Sequence, residues 1–88
     1  MELSELSAIL KALGNELRLK IFLMLKDQKL CGYHILDKLN ISQPTLSHHM
    51  KILCECGIVV AEKDWKWIYY SQNTAKIKEV EYLLSNMG

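Results

Sequence analysis

The sequence predicts a mostly α-helical domain with one small β-hairpin, in the order α-α-α-α-β-β-α. Three observations predict it. Apolar residues recur at spacings of three and four over residues 3–13, 15–25, 32–39, 43–56 and 74–87, the period of an amphipathic helix. After Gly57 that period gives way to two short runs, Ile58 to Lys63 and Lys66 to Ser71, rich in Val, Ile, Trp and Tyr as strands are. Between Leu39 and Leu53 the chain reads as the end of one helix, a tight turn and a longer capped helix, which is helix-turn-helix spacing.

The first helix, residues 3–13, carries Leu3, Leu6, Ile9, Leu10 and Leu13, and Gly14 is placed to end it. Asn15 can cap a second helix, with Glu16 in the first turn where the helix dipole favours a negative charge. Leu17, Ile21, Met24 and Leu25 form its core stripe. Phe22 and Leu23 widen that stripe, so this helix is expected to be central and buried. Asp27-Gln28-Lys29 is a polar connection. Gly32 to Leu39 then form a short helix with Ile35, Leu36 and Leu39 inward, and Asn40 suits a left-handed stop.

The fourth helix begins with strong local signals. The Ser42 hydroxyl can accept from an orphan backbone N–H of the first turn. Ile41 and Leu46 make a hydrophobic staple across that cap. Pro44 falls in the first turn, where its missing N–H costs little. Leu46, Met50 and Leu53 line one face; Ser47, His48, Lys51 and Glu55 lie opposite, with Thr45 near them. Gln43, Thr45, Ser47 and His48 are short donors and acceptors, suited to base edges in a major groove. The same composition also fits a solvated helix with a good cap. His48 faces out, whereas His49 sits at the rim of the apolar face, where a packed, hydrogen-bonded histidine is expected.

Asp64-Trp65 lies between the two strands as a hairpin turn. As a two-residue loop it would set Lys63 opposite Lys66, Glu62 opposite Trp67 and Ala61 opposite Ile68. Such a turn needs positive φ at Trp65, which a Trp disfavours. Either the loop is longer or Trp65 is strained at the tip, and its ring either projects or folds back on the sheet. Like charges directly opposite each other destabilise a sheet, so a Lys63–Lys66 pair points to a phosphate between them. The last helix, residues 74–87, carries Ile77, Val80, Leu83 and Leu84, with Tyr82 beside them. Helices 3–13 and 74–87 hold apolar stripes outside the helix-turn-helix. Leu3, Leu6 and Leu10, with Ile77, Val80, Leu83 and Leu84, are expected to bury each other across a two-fold axis.

Eighty-eight residues make one domain, 1–88. A chain of this size buries a modest share of its surface, so a partner subunit would help it. Half the residues are hydrophobic, which excludes a disordered chain, yet no apolar run approaches the ~20 residues of a membrane span. Met1-Glu2-Leu3-Ser4-Glu5 lacks the basic start and apolar core of a signal peptide, and a cytoplasmic location is expected. The net charge of +1 means that any affinity for nucleic acid rests on local placement of charge. Three cysteines in a reducing compartment exclude a disulfide framework and leave buried or ion-binding thiols.

The run Ser42-Gln43-Pro44-Thr45-Leu46-Ser47-His48-His49-Met50-Lys51-Ile52-Leu53 resembles the recognition helix of the ArsR/SmtB family of winged helix-turn-helix repressors. Leu13-Gly14-Asn15-Glu16-Leu17-Arg18-Leu19-Lys20-Ile21 upstream agrees, as do Gly57-Ile58-Val59 and Trp67-Ile68-Tyr69-Tyr70 downstream. The resemblance covers about residues 9 to 71. It implies a winged fold and a homodimeric repressor of transcription that binds an inverted repeat in double-stranded DNA, often released by a metal or metalloid ion. By their place at the start and on the outer face of the fourth helix, Ser42, Gln43, Thr45, Ser47, His48 and Lys51 are the expected DNA-binding residues, joined, through the expected charge pair at the hairpin tip, by Lys63, Trp65 and Lys66.

The family's ion sites are incomplete here. Its third helix often opens with Cys-x-Cys-Glu, and the matching residues are Cys31-Gly32-Tyr33-His34. Its other site uses Asp and His on the last helix, and residues 74–88 contain neither. Cys54 and Cys56, with Cys31, remain as a possible set for arsenite or a soft divalent ion. Cys54 and Cys56 lie about 200° apart on an ideal helix, so chelation needs the helix to end between them. Buried cysteine as a small hydrophobe is the competing reading. No phosphate loop, nucleophile elbow or His-Glu-x-x-His is present, and an enzyme is not expected. A winged-helix module that binds protein instead of DNA is the remaining alternative.

Overall fold

The computed structural model describes all 88 residues. Five helices and three strands follow in the order α1 Leu3–Leu13, α2 Glu16–Met24, β1 Leu30–Cys31, α3 Gly32–Leu39, α4 Gln43–Glu55, β2 Val59–Asp64, β3 Trp67–Gln72 and α5 Thr74–Ser85. The fold is mostly helical with a small antiparallel hairpin, the winged helix-turn-helix topology.

Local chemistry sets most boundaries. Asn15 Oδ1 accepts from Arg18 N at 3.0 Å and caps α2. Asn40 stands at φ 53° and ψ 47°, the left-handed stop of α3. Gly57 stands at φ 84°, where a side chain would be strained, and turns the chain from α4 toward β2. Asn73 caps α5 by accepting from Lys76 N at 3.1 Å, and its amide donates to Gly57 O at 2.9 Å. One side chain thereby starts the last helix and ties it to the end of α4.

The core is wholly apolar. Leu6, Ile9 and Ala12 of α1 meet Ile21, Leu25, Ile35, Leu46, Met50, Leu53, Ile58, Val59 and Val80, and no polar or charged side chain is buried among them. Truncating a fully buried member such as Leu53 to Ala would cost ~2–5 kcal/mol. The α4 stripe Leu46, Met50, Leu53 is buried as its spacing predicts. Helix α2 is not: Leu23 is 59 % exposed, and within the helix only Ile21 is fully buried. Its apolar residues run round the helix, and a short helix at the edge of a small core can bury one side only.

Two further differences concern the sheet. Leu30 and Cys31 add a third strand, paired with Tyr70 and Tyr69, so that the order is β1-β3-β2. The hairpin turn is Trp65-Lys66, not Asp64-Trp65. Lys63 therefore lies opposite Ile68, and Asp64 opposite Trp67. The expected Lys63–Lys66 pair does not form. Moving the turn by one residue slips the register by two, which leaves every side chain on the same face. Alternation of apolar residues cannot distinguish the two registers. The base of the hairpin does: Asn73 N donates to Ile58 O at 2.9 Å, and the Gln72 amide donates to Phe22 O at 2.8 Å.

Helix α5 is held to α1 by charge. Lys76 Nζ donates to Glu5 Oε1 at 2.6 Å. That bond holds the Glu5 carboxyl below its usual range and raises the Lys76 ammonium. Both side chains keep contact with solvent, so this is a register mark more than a large stabilisation. No helix is long and apolar enough to cross a membrane.

Candidate nucleic-acid interface

Helix α4 presents its N-terminal half outward. Ser42 Oγ accepts from Thr45 N at 3.3 Å, and the two hydroxyls of Ser42 and Thr45 lie 2.8 Å apart. These two residues hold the helix start, and Thr45 is half-buried. Gln43, Ser47 and His48 are exposed, and their side chains make no hydrogen bond within the chain. Lys51 is exposed, with Glu55 one turn on at 3.9 Å. An exposed pair of that length contributes little and leaves the ammonium available.

The wing stands beside this surface. Trp65 occupies the first turn position at φ 58°, while Lys66 keeps a negative φ. Those signs are those of a type II′ turn, which ordinarily has Gly first. The Trp65 ring is 77 % exposed and projects from the tip, so the short, strained alternative is the one the chain adopts. Lys66 Nζ lies 4.8 Å from the Trp65 ring centre and 5.2 Å from that of Trp67. Tyr33, from α3, meets Trp67 edge to face at 5.4 Å. Such aromatic and cation–π contacts hold the wing tip and the start of α3 together.

Gln43 and Ser47 share a cleft of about 180 Å³ with Lys66, Trp67, Ile68 and Tyr33. The helix start and the wing are thus two walls of one concave surface. Gln43, Ser47 and Lys66, none of whose side chains has a hydrogen-bond or ion-pair partner within the chain, are among the residues that line it. Lys63 is exposed on the neighbouring strand.

The cysteines are spread through the fold. Cys31 sits in β1 opposite Tyr69, and Cys56 Sγ donates to Leu53 O at 3.3 Å. Burial, then the neighbouring Cys56, pushes the Cys54 thiol up. A soft ion needs thiolates, and no three His, Cys, Asp or Glu side chains gather to hold a metal within the chain. Cys31, Cys54 and Cys56 of one chain do not gather into a single three-thiolate site.

Of the expected subunit-contact residues, Leu6 and Val80 belong to the chain's own core, so no partner can bury them further. Leu3, Leu10 and Leu84 are 78 %, 43 % and 45 % exposed, and Ile77 and Leu83 are half-buried. Sequence reasoning missed the role of Arg18. Its guanidinium donates to Ala12 O at 2.8 Å and meets His49 Nδ1 at 3.1 Å, which makes His49 the hydrogen-bonded residue its rim position suggested. No periodic pattern marks Arg18, because its partners lie on two other helices.

Residues 15–60 match the family described as "Bacterial regulatory protein, arsR family". The chain is 40 % identical over 80 residues to the arsenical resistance operon repressor of Staphylococcus aureus, covering 91 % of this chain and 77 % of that one. It is 33 % identical over 79 residues to the transcriptional activator HlyU of Vibrio cholerae, covering 90 % and 73 %. Among solved structures, an ArsR-like transcriptional regulator from Rhodococcus sp. RHA1 superposes with a TM-score of 0.87 at 25 % identity, covering 97 % of this chain and 80 % of that one.

Proposed function

The chain belongs to the arsR family of DNA-binding regulators of transcription, which are not enzymes, and we propose that it is a homodimer that reads an inverted repeat. In this reading α4 enters the major groove and Gln43, Ser47 and His48 meet base edges. Ser42 and Thr45 hold the helix start near the backbone, and Lys51, Lys63 and Lys66 meet phosphates. The observation that carries the reading is the shared cleft, in which Gln43 and Ser47 of the helix face Lys66 and Trp67 of the wing. A helix start with free polar side chains beside a wing that carries an ammonium suits the base edges and phosphates of a duplex. A repressor is the proposed sense, by likeness to the Staphylococcus relative, although the Vibrio relative is an activator.

The whole chain acts as one domain in this proposal, with helices 3–13 and 74–85 joining two copies. Leu3, Leu10 and Leu84 supply apolar surface that one chain leaves uncovered. Selection of bound sites from a random duplex pool tests the reading. Recovery of a two-fold repeat supports it; no retained duplex at low salt would favour the protein-binding module.

A second reading is a repressor released by arsenite or a soft divalent ion through Cys54 and Cys56, with Cys31. Its one support is the similarity to a repressor of arsenical resistance. Replacing Cys54 and Cys56 with Ser should leave operator affinity unchanged and abolish release by arsenite. A wild type that arsenite and cadmium do not release would sink this reading.

A further inference from the structure

Arg18 joins three helices at one point. Its backbone N–H donates to the Asn15 cap of α2 at 3.0 Å. Its Nε donates to Ala12 O, in the last turn of α1, at 2.8 Å. Its Nη1 lies 3.1 Å from Nδ1 of His49 on α4. A guanidinium has five donors and no acceptor, so the direction of this last bond is fixed. Arg18 donates, the Nδ1 lone pair accepts, and the imidazole proton sits on Nε2. A second proton can go only to Nδ1. There it would remove the acceptor and face a guanidinium at 3.1 Å.

We infer that His49 is a positioning residue for DNA binding: neutral, it locks α4 to α1 and α2 through Arg18, and a proton on Nδ1 releases the lock and weakens DNA binding. The inference rests on the DNA-binding reading of α4. His49 follows His48 directly and lies one turn after Thr45 on the helix. A shift of α4 on its neighbours therefore moves Gln43, Ser47 and His48 together. Displacement by a fraction of a side-chain length is enough to spoil hydrogen bonds to base edges.

Few charged groups bear on the ring. Arg18 comes from α2 and His48 from α4 itself, with the two imidazole centres 5.1 Å apart. Lys11 of α1 and Glu55 of α4 line the cleft that Arg18 also lines. Desolvation first, then the Arg18 and His48 charges, hold His49 below its ordinary range, in keeping with a neutral ring at neutral pH. His48, the other imidazole of α4, is exposed on the outer face and is common to the wild type and to a variant at His49, so comparing the two isolates the part played by His49.

The test compares wild type with His49→Asn on one duplex selected by the wild type, at constant ionic strength, from pH 8 to pH 5.5. Asn Oδ1 stands where Nδ1 stood, accepts from Arg18 and does not titrate. The two proteins should bind alike at pH 8. Below the ordinary histidine range the wild type should weaken relative to His49→Asn, by at most about tenfold per pH unit for one proton. Parallel curves on a bound duplex would overturn the inference and leave the DNA-binding reading standing. Absence of binding to any duplex would overturn both. Should His49→Asn not fold, the imidazole nitrogens of the wild type give the same answer. By linkage, DNA must lower the pH at which His49 takes its proton, and an identical titration in free and bound protein would overturn the lock.

Discussion

The Lys66 ammonium lies 4.8 Å from the centre of the Trp65 ring, and Trp65 holds that ring out from a backbone φ of 58°. A left-handed non-glycine residue costs ~1–2 kcal/mol. An exposed cation–π contact returns ~0.5–1 kcal/mol of it. Trp65→Gly should therefore raise the stability of the free protein slightly, by up to about 1 kcal/mol, and weaken DNA binding. Thermal unfolding and duplex titration of the same sample check both halves. A variant that melts earlier and binds equally well would show that the ring serves folding and not DNA.

The wing lysines should act through charge alone. Replacing Lys63 and Lys66 with Ala should reduce the log–log salt slope of binding by about two, on specific and random duplex alike. Lys63 lies opposite Ile68, so no like-charge repulsion is relieved and the free protein should gain no stability. A salt series fitted for both proteins decides it, and an unchanged slope would place both side chains in solvent.

Gln43 should read sequence. Its side chain has no hydrogen-bond partner within the chain, and the residue lines the cleft shared with the wing. Gln43→Ala should cost ~1–3 kcal/mol on the preferred operator and relax preference at one base step. Equal losses on preferred and random duplex would make it a backbone contact.

Leu10 and Leu84 should hold two copies together. Changing both to Lys should yield a folded monomer, because neither is part of the core. Binding should weaken strongly, since two recognition helices must span successive major grooves ~34–36 Å apart. Sedimentation of wild type and variant at micromolar concentration measures this. A monomeric wild type would count against the arrangement.

The sequence by itself determined the elements that local chemistry controls. Ser42, Asn15 and Asn40 mark helix ends through their own side chains or dihedral preferences, and Leu46, Met50 and Leu53 set the buried face of α4 through spacing alone. The outward residues Gln43, Ser47 and His48 follow from the same period. Tertiary structure decided what local chemistry leaves degenerate. The hairpin slipped by two residues because both registers bury the same face, and contacts of Gln72 and Asn73 at its base chose between them. Leu23 stayed outside, and Leu6 and Val80 went inside, because the core of a small domain has room for only some of its apolar candidates. The cleft between α4 and the wing, the stacking of Lys66 with two tryptophans, and the Arg18–His49 bond join residues far apart in sequence. Such contacts leave no periodic trace, since each depends on where separate helices and strands come to rest against one another.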